Sequence, residues 1–190
     1  MISAILLAAG QSKRMEGENK LVKKIQGVSL INCSIKNILF SSIDELIIVL
    51  GYQREIIEKI IEKNEKIKFV YNKDFERGMA SSIKVGLKNL SNNTESFFIC
   101  LGDMPMIKPG IYNQLIKSKN KKDIIVPTYK NQQGNPVLFN KSMKEKVMSI
   151  KGDSGAKKLI KSNSSKVLNL EINDISIITN YNTQKNFDVS

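Results

Sequence analysis

Two basic side chains and one carboxylate set the chemistry this sequence can do. Arg14 and Lys20 stand in a loop that opens at Gly10, directly after the apolar run 1–9. Backbone N–H groups in a glycine-containing loop turn inward toward an anion, and the two side chains add full positive charge. The segment 10–20 is therefore suited to a polyphosphate, above all a nucleoside triphosphate. Asp103, in Gly102-Asp103-Met104-Pro105, follows a second apolar run, Ser96–Leu101. A single aspartate at a strand end suits a hard cation such as Mg2+, which takes few carboxylates together with phosphate oxygens and water. Histidine is absent. Ser-His-Asp and Cys-His catalysis are excluded, and so is the commonest zinc ligand. Cys33 and Cys100 have no metal-ligand spacing and read as reduced, buried thiols. The loop is neither a Walker P-loop nor a G-x-G-x-x-G turn, since only Gly10 and Gly17 lie in it.

These residues need elements to hold them. Apolar residues at Leu30, Ile31, Ile35, Ile38 and Leu39 predict an amphipathic helix over 29–40. The same spacing recurs over 54–63 and 80–90. A helix begins near Pro109, with proline in its first turn. Two more are expected over 141–149 and 154–162, and a short one after Thr183. Besides the first run, strands are expected at Glu45–Leu50, Ile67–Tyr71, Ser96–Leu101, 123–127, 136–139, 166–170 and Ile175–Ile178. This alternation implies an α/β fold with a mostly parallel sheet and helices on both faces. No linker or repeat divides the chain, so one domain over 1–190 is expected. Ligands of such sheets bind beyond the carboxyl ends of the strands. The loops after Ala8 and after Leu101 fall there.

Composition narrows the class. With 190 residues, 41% of them hydrophobic, the chain can bury a core. No apolar run reaches membrane-spanning length, and the first residues lack a basic leader region, so a soluble cytoplasmic protein is expected. The net charge of +12 invites a nucleic-acid partner. The lysines are spread along the chain, however, and no stretch interleaves them with aromatics, so neither nucleic acid nor membrane is expected as a partner.

The string Leu7-Ala8-Ala9-Gly10-Gln11-Ser12-Lys13-Arg14-Met15, followed by Asn19-Lys20-Leu21, resembles the signature of sugar- and cofactor-nucleotidyltransferases. Within them it is most similar to the molybdenum cofactor cytidylyltransferases of the MobA-like NTP transferase family. Four further motifs occur in that family's order: Gly78-Met79-Ala80-Ser81-Ser82-Ile83, Gly102-Asp103-Met104-Pro105, Gly134-Asn135-Pro136-Val137-Leu138-Phe139 and Gly152-Asp153-Ser154-Gly155-Ala156. The resemblance implies a Rossmann-like three-layer sandwich and transfer of CMP from CTP to the terminal phosphate of molybdenum-bearing molybdopterin. Pyrophosphate is released. It implies Arg14, Lys20 and Asp103 as catalytic residues. It places Leu7, Ala8, Ala9, Gly10, Ser12, Arg14, Lys20, Asn72, Gly78, Ser81, Ser82 and Asp103 around the nucleotide. Gly134, Asn135, Pro136, Asp153, Ser154 and Gly155 would meet the acceptor. Asp103 would hold Mg2+ with Asn180 as second ligand, and a molybdoenzyme would receive the product.

The sequence departs from its relatives at three places. Glu16 precedes Gly17, so the loop is one residue longer, and Glu16 is expected to face solvent. Asn180-Tyr181-Asn182-Thr183 stands where cytidylyltransferases often carry D-x-D-T, and is more like the guanylyltransferase branch. Ala9 replaces the first glycine of the L-A-G-G typical of that branch, which narrows the base pocket and favours CTP. A methyl-sized difference is worth only about 1–3 kcal/mol. GTP as donor, a sugar or polyol phosphate as acceptor, and a non-catalytic nucleotide-binding protein remain open alternatives.

Overall fold

The first strand is apolar at every position except Ser3, because both of its faces are buried. The computed structural model describes residues 1–11, 19–153 and 155–182. Ser12, Arg14, Glu16, Ser154 and the helix expected after Thr183 lie outside the described residues. In chain order the elements are β1 (Ile2–Ala8), β2 (Lys24–Ile25), β3 (Val28–Ser29), α1 (Leu30–Leu39), β4 (Glu45–Leu50), α2 (Arg54–Ile60) and β5 (Ile67–Tyr71). Then come α3 (Met79–Lys88), β6 (Ser96–Leu101), α4 (Pro109–Lys117), β7 (Ile124–Tyr129), β8 (Gln132–Gln133), β9 (Val137–Asn140), α5 (Lys144–Met148), α6 (Lys157–Ser162) and β10 (Val167–Glu171).

The main sheet runs β10-β7-β9-β6-β1-β4-β5, with β8 appended to β7. β6, β1, β4 and β5 are mutually parallel, and β10 is parallel to β7. β9 runs antiparallel between β6 and β7. The chain winds from β1 outward to β4 and β5, then returns to lay β6 on the other side of β1. Strand order thus reverses between β1 and β6. At such a switch point the flanking loops diverge and leave a crevice beyond the carboxyl ends.

Alternation along the strands builds two cores. Ala4, Leu6 and Ala8 of β1 join Leu46 and Ile48 of β4, Phe98 of β6, and the apolar faces of α1, α2 and α4. Ile5 of β1 joins Ile47 and Val49 of β4, Phe97 of β6, and α3, α5 and α6. The result is the three-layer α/β sandwich expected from the sequence.

Several boundaries differ from expectation. The apolar segment Ile175–Ile178, expected as a strand, is a 3-10 turn. Asp174 caps it by accepting the Ser176 N–H at 2.9 Å. That local capping bond satisfies the backbone that a sheet ladder would otherwise have paired. β7 runs past Pro127 to Tyr129, because β10 pairs alongside it, with Leu170 opposite Pro127. The helix expected from residue 154 begins at Lys157.

Candidate active site

Lys20 is aimed by its neighbours. Asn19, almost fully buried, accepts the Leu21 N–H on its side-chain oxygen at 3.1 Å and so caps the 3-10 turn Lys20–Val22. Leu21 is buried in the core. With its neighbours fixed on either side, the lysine stem is directed into the crevice. Asp103 arrives from the other wall. Gly102 donates its N–H to the Leu7 carbonyl at 3.0 Å, which extends the β1–β6 ladder by one residue and delivers Asp103 just beyond it. Lys20 Nζ then lies 2.6 Å from Asp103 Oδ2, with the two side chains only 19% and 15% exposed.

A third residue meets this pair. Lys20 Nζ donates to Asn182 Oδ1 at 2.5 Å. The segment carrying Asn182 is tied down by the Tyr181 N–H, which donates to the Asp103 carbonyl at 2.9 Å. Asn180 and Asn182 both line the crevice, while Tyr181 between them packs against the core. Sequence reading named Asn180, and it missed Asn182. The two-residue alternation of an extended segment was the signal that could have found it.

The crevice encloses about 550 Å³, within the range of small-molecule sites. Of the residues expected around the nucleotide, Leu7, Ala8, Ala9, Gly10, Lys20, Gly78, Ser82 and Asp103 line it. Gln11, Phe75, Glu76, Met79 and Leu101 also line it, although the sequence did not single them out. Gln11 Nε2 donates to Glu76 Oε1 at 3.0 Å across the mouth. Ala9 is 5% exposed. A Cβ at Gly51 would stand 2.7 Å from the Ala9 methyl, so Gly51 is what makes room for it.

Asn72 stands behind the wall rather than in it. It is 2% exposed, and its Nδ2 donates to Ser81 Oγ at 2.8 Å and Ser82 Oγ at 2.9 Å. It thereby clamps the end of β5 to the start of α3.

The residues expected at the acceptor divide. Asp153 lines the crevice and accepts the Met79 N–H on Oδ1 at 2.9 Å, capping α3. Gly155 abuts Met79. Gly134, Asn135 and Pro136 are not among the residues that line the crevice; they abut the Ile175–Ile178 turn. The Asn135 N–H donates to the Ile177 carbonyl at 2.8 Å.

The donor set fits a hard divalent cation. Asp103 and Asn182 converge with oxygens on one positive centre, the Lys20 ammonium. No cluster of three or more His, Cys, Asp or Glu that could hold a metal ion by itself exists among the described residues. Neither cysteine belongs to the site. Cys100 is buried beside Tyr112, and burial pushes its thiol far above the ordinary range. Burial also raises the Cys33 thiol. No described helix is long and apolar enough to cross a membrane.

A lysine–aspartate pair thus stands at the switch point of a mostly parallel sheet, where α/β enzymes bind their ligands. The chain is a member of the MobA-like NTP transferase domain family, which matches residues 4–167. It is 38% identical over 130 residues to a probable molybdenum cofactor guanylyltransferase of Natranaerobius thermophilus, across 66% of this chain and 60% of that protein. A probable molybdenum cofactor guanylyltransferase of Methanosarcina mazei is 27% identical over 147 residues, across 74% of this chain and 64% of that protein. The chain thus spans less than two thirds of the length of these relatives. The purine catabolism protein PucB of Bacillus subtilis is 27% identical over 165 residues, across 83% of this chain and 80% of that protein. Among solved structures, Rv0371c of Mycobacterium tuberculosis superposes with a TM-score of 0.88 at 22% identity, over 99% of this chain and 96% of that one. A manganese complex of Rv0371c gives 0.77 at 21% identity, over 90% and 88%.

Proposed function

We propose that this chain transfers a nucleoside monophosphate from a nucleoside triphosphate to the terminal phosphate of molybdopterin. The Lys20–Asp103 pair at the β1–β6 switch point carries the proposal. An acceptor phosphate oxygen attacks the α-phosphorus in line. The new P–O bond forms as the bond to the bridging oxygen of the pyrophosphate breaks, and pyrophosphate leaves with that electron pair. No protein nucleophile takes part. Lys20, joined by Arg14 of the preceding loop, neutralises charge on the leaving group. Asp103, with Asn180 or its neighbour Asn182, would hold Mg2+ or Mn2+, which neutralises phosphate charge and orients the donor when bound. Backbone N–H groups around Gly10 supply further donors.

The crevice's own charge supports a metal-bound donor. Lys20 shares the described lining with three carboxylates, Glu76, Asp103 and Asp153. A divalent cation that accompanies the triphosphate offsets their charge.

CTP is the proposed donor, on the strength of Ala9 in Leu7-Ala8-Ala9-Gly10. GTP is the second reading. Two relatives are named guanylyltransferases, and the Ala9 methyl is turned largely against Gly51, which weakens its hold on base size. Asp153 and Gly155, with Ser154 between them, and the Gly134-Asn135-Pro136 turn are proposed to face the acceptor, and residues 1–190 to act as one domain. Thermal shifts with CTP, GTP, ATP and UTP plus Mg2+ rank the donors by mass action. Pyrophosphate release with molybdopterin, and with sugar and polyol phosphates, tests the acceptor. Nucleotide binding with no pyrophosphate from any acceptor would sink the catalytic reading.

A further inference from the structure

We propose that the chain carries a second anion site, built for a small soluble ligand dense in phosphate charge, at the end of the sheet opposite the crevice. The inference does not depend on the nucleotidyltransferase reading. β7 begins there at Ile124 with Val167 of β10 opposite it, and antiparallel β9 ends beside them at Asn140. Around these strand ends and the turn that follows α4 lies a recess of about 400 Å³. Lys119, Lys121, Lys122 and Lys166 line it, with Asp123 as the one carboxylate among the described residues. It shares no described lining residue with the crevice.

Local bonds gather the lysines. The Lys119 N–H donates to the Ile116 carbonyl at 3.1 Å and the Lys121 N–H to the Ser118 carbonyl at 3.0 Å, which turns the chain sharply after α4. Lys122 Nζ donates to the Ser165 carbonyl at 2.8 Å, and Lys166 Nζ to Asp123 Oδ2 at 2.7 Å. Lys119 Nζ meets Glu95 Oε2 at 3.3 Å. Lys121 has no side-chain partner among the described residues. Asn140 accepts the Ser142 N–H on Oδ1 at 3.0 Å, so its amide brings a donor, Nδ2, to the recess.

Four ammoniums against one carboxylate leave the recess positive. The lysines run along the whole chain, but the carboxylates that balance them do not. Residues 108–170 hold fourteen lysines and only Asp123, Glu145 and Asp153 as carboxylates. Summed charge of one sign raises the local concentration of anions. The wall also selects among them. No apolar or aromatic side chain lines the recess among the described residues, so a nucleobase finds nothing to stack on. Ammoniums and an amide donor suit clustered phosphate oxygens.

The test is a titration of the isotope-labelled full chain with inorganic pyrophosphate in EDTA, followed by the amide resonances. Saturable shifts are expected at Lys121, Asn140 and Ser165, whatever happens around Gly10 and Asp103. Lys121→Glu reverses one charge, and is expected to weaken that titration about ten-fold. It breaks no side-chain bond to a described residue, and circular dichroism establishes that it is folded. Asp123→Asn removes the opposing carboxylate and is expected to tighten the titration about three-fold. Shifts confined to Gly10 and Asp103, a titration that Lys121→Glu leaves unchanged, or one that Asp123→Asn weakens would each overturn the second site. Sedimentation with phosphatidylglycerol vesicles, without any pyrophosphate shift at Lys121, would reveal a membrane-facing surface and overturn it too. Nucleotides that shift neither Gly10 nor Asp103 would count against the crevice reading and leave this site standing.

Discussion

Tyr181 donates its backbone N–H to the carbonyl of Asp103 at 2.9 Å, across 78 residues of sequence, and so carries the chain's last described segment to the head of β6. Asn180 and Asn182 lie beyond the span that matches the family, 4–167, yet they line the same crevice. The site is therefore assembled from three distant pieces: the turn at Lys20, the end of β6, and a segment past the last strand.

Asp103 is expected to be indispensable to turnover. Asp103→Asn keeps the shape but loses the charge opposite Lys20, and pyrophosphate release should fall by about 10²-fold or more. Lys20→Ala should fall by a similar factor. Unchanged release from either variant would remove that residue from the mechanism.

Gly134 is expected to act on the site from behind. A Cβ there would stand 2.9 Å from the Ile177 carbonyl carbon and closer still to its oxygen. Backbone cannot yield as a side chain tip can, so Gly134→Ala should cost about 1–3 kcal/mol. Because Ile177 leads into Asn180 and Asn182, pyrophosphate release should drop as well. Gly110→Ala is the control. Its Cβ meets nothing within 4 Å and it lies in α4, so the variant should be stabilised by up to about 1 kcal/mol. Urea unfolding of the two variants should separate them in opposite directions.

Asn72 is expected to matter for stability before it matters for binding. Asn72→Ala strips a donor from the hydroxyls of Ser81 and Ser82 and an acceptor from the Asp74 N–H. Unmade buried hydrogen bonds cost about 1–3 kcal/mol. The denaturation midpoint should fall by that equivalent. A midpoint equal to wild type would show that water replaces the clamp.

Acid sensitivity is expected from Asp123. Lys166 Nζ lies 2.7 Å from Asp123 Oδ2, and this hydrogen bond holds the Asp123 carboxyl below the usual carboxylate range. A depressed folded-state value adds stability above the unfolded value, near pH 4, and that stability is lost as pH falls through the folded value. The pair is open to solvent, so its contribution is about 1 kcal/mol or less. Asp123→Asn should melt slightly below wild type at neutral pH and converge with it in acid. A gap that widens in acid would contradict the sign.

The sequence alone determined the local parts. Glu45–Leu50 and Ser96–Leu101 were legible to the residue, because short apolar runs of this kind fit strands buried on both faces, and Ile67–Tyr71, a part-exposed edge strand interrupted by Lys68, was legible from its β-branched and aromatic residues. Lys20 and Asp103 were singled out by the loop after β1 and by Gly102-Asp103-Met104-Pro105, and the structure brings them to 2.6 Å of each other. Tertiary structure alone decided the rest. The antiparallel course of β9 between β6 and β7 and the place of Asn182 beside Lys20 depend on pairings between residues far apart in the chain. Periodicity and turn chemistry act over a few residues. Which distant segments meet is settled by the total burial and hydrogen bonding of the whole fold, and a one-dimensional pattern does not contain that sum.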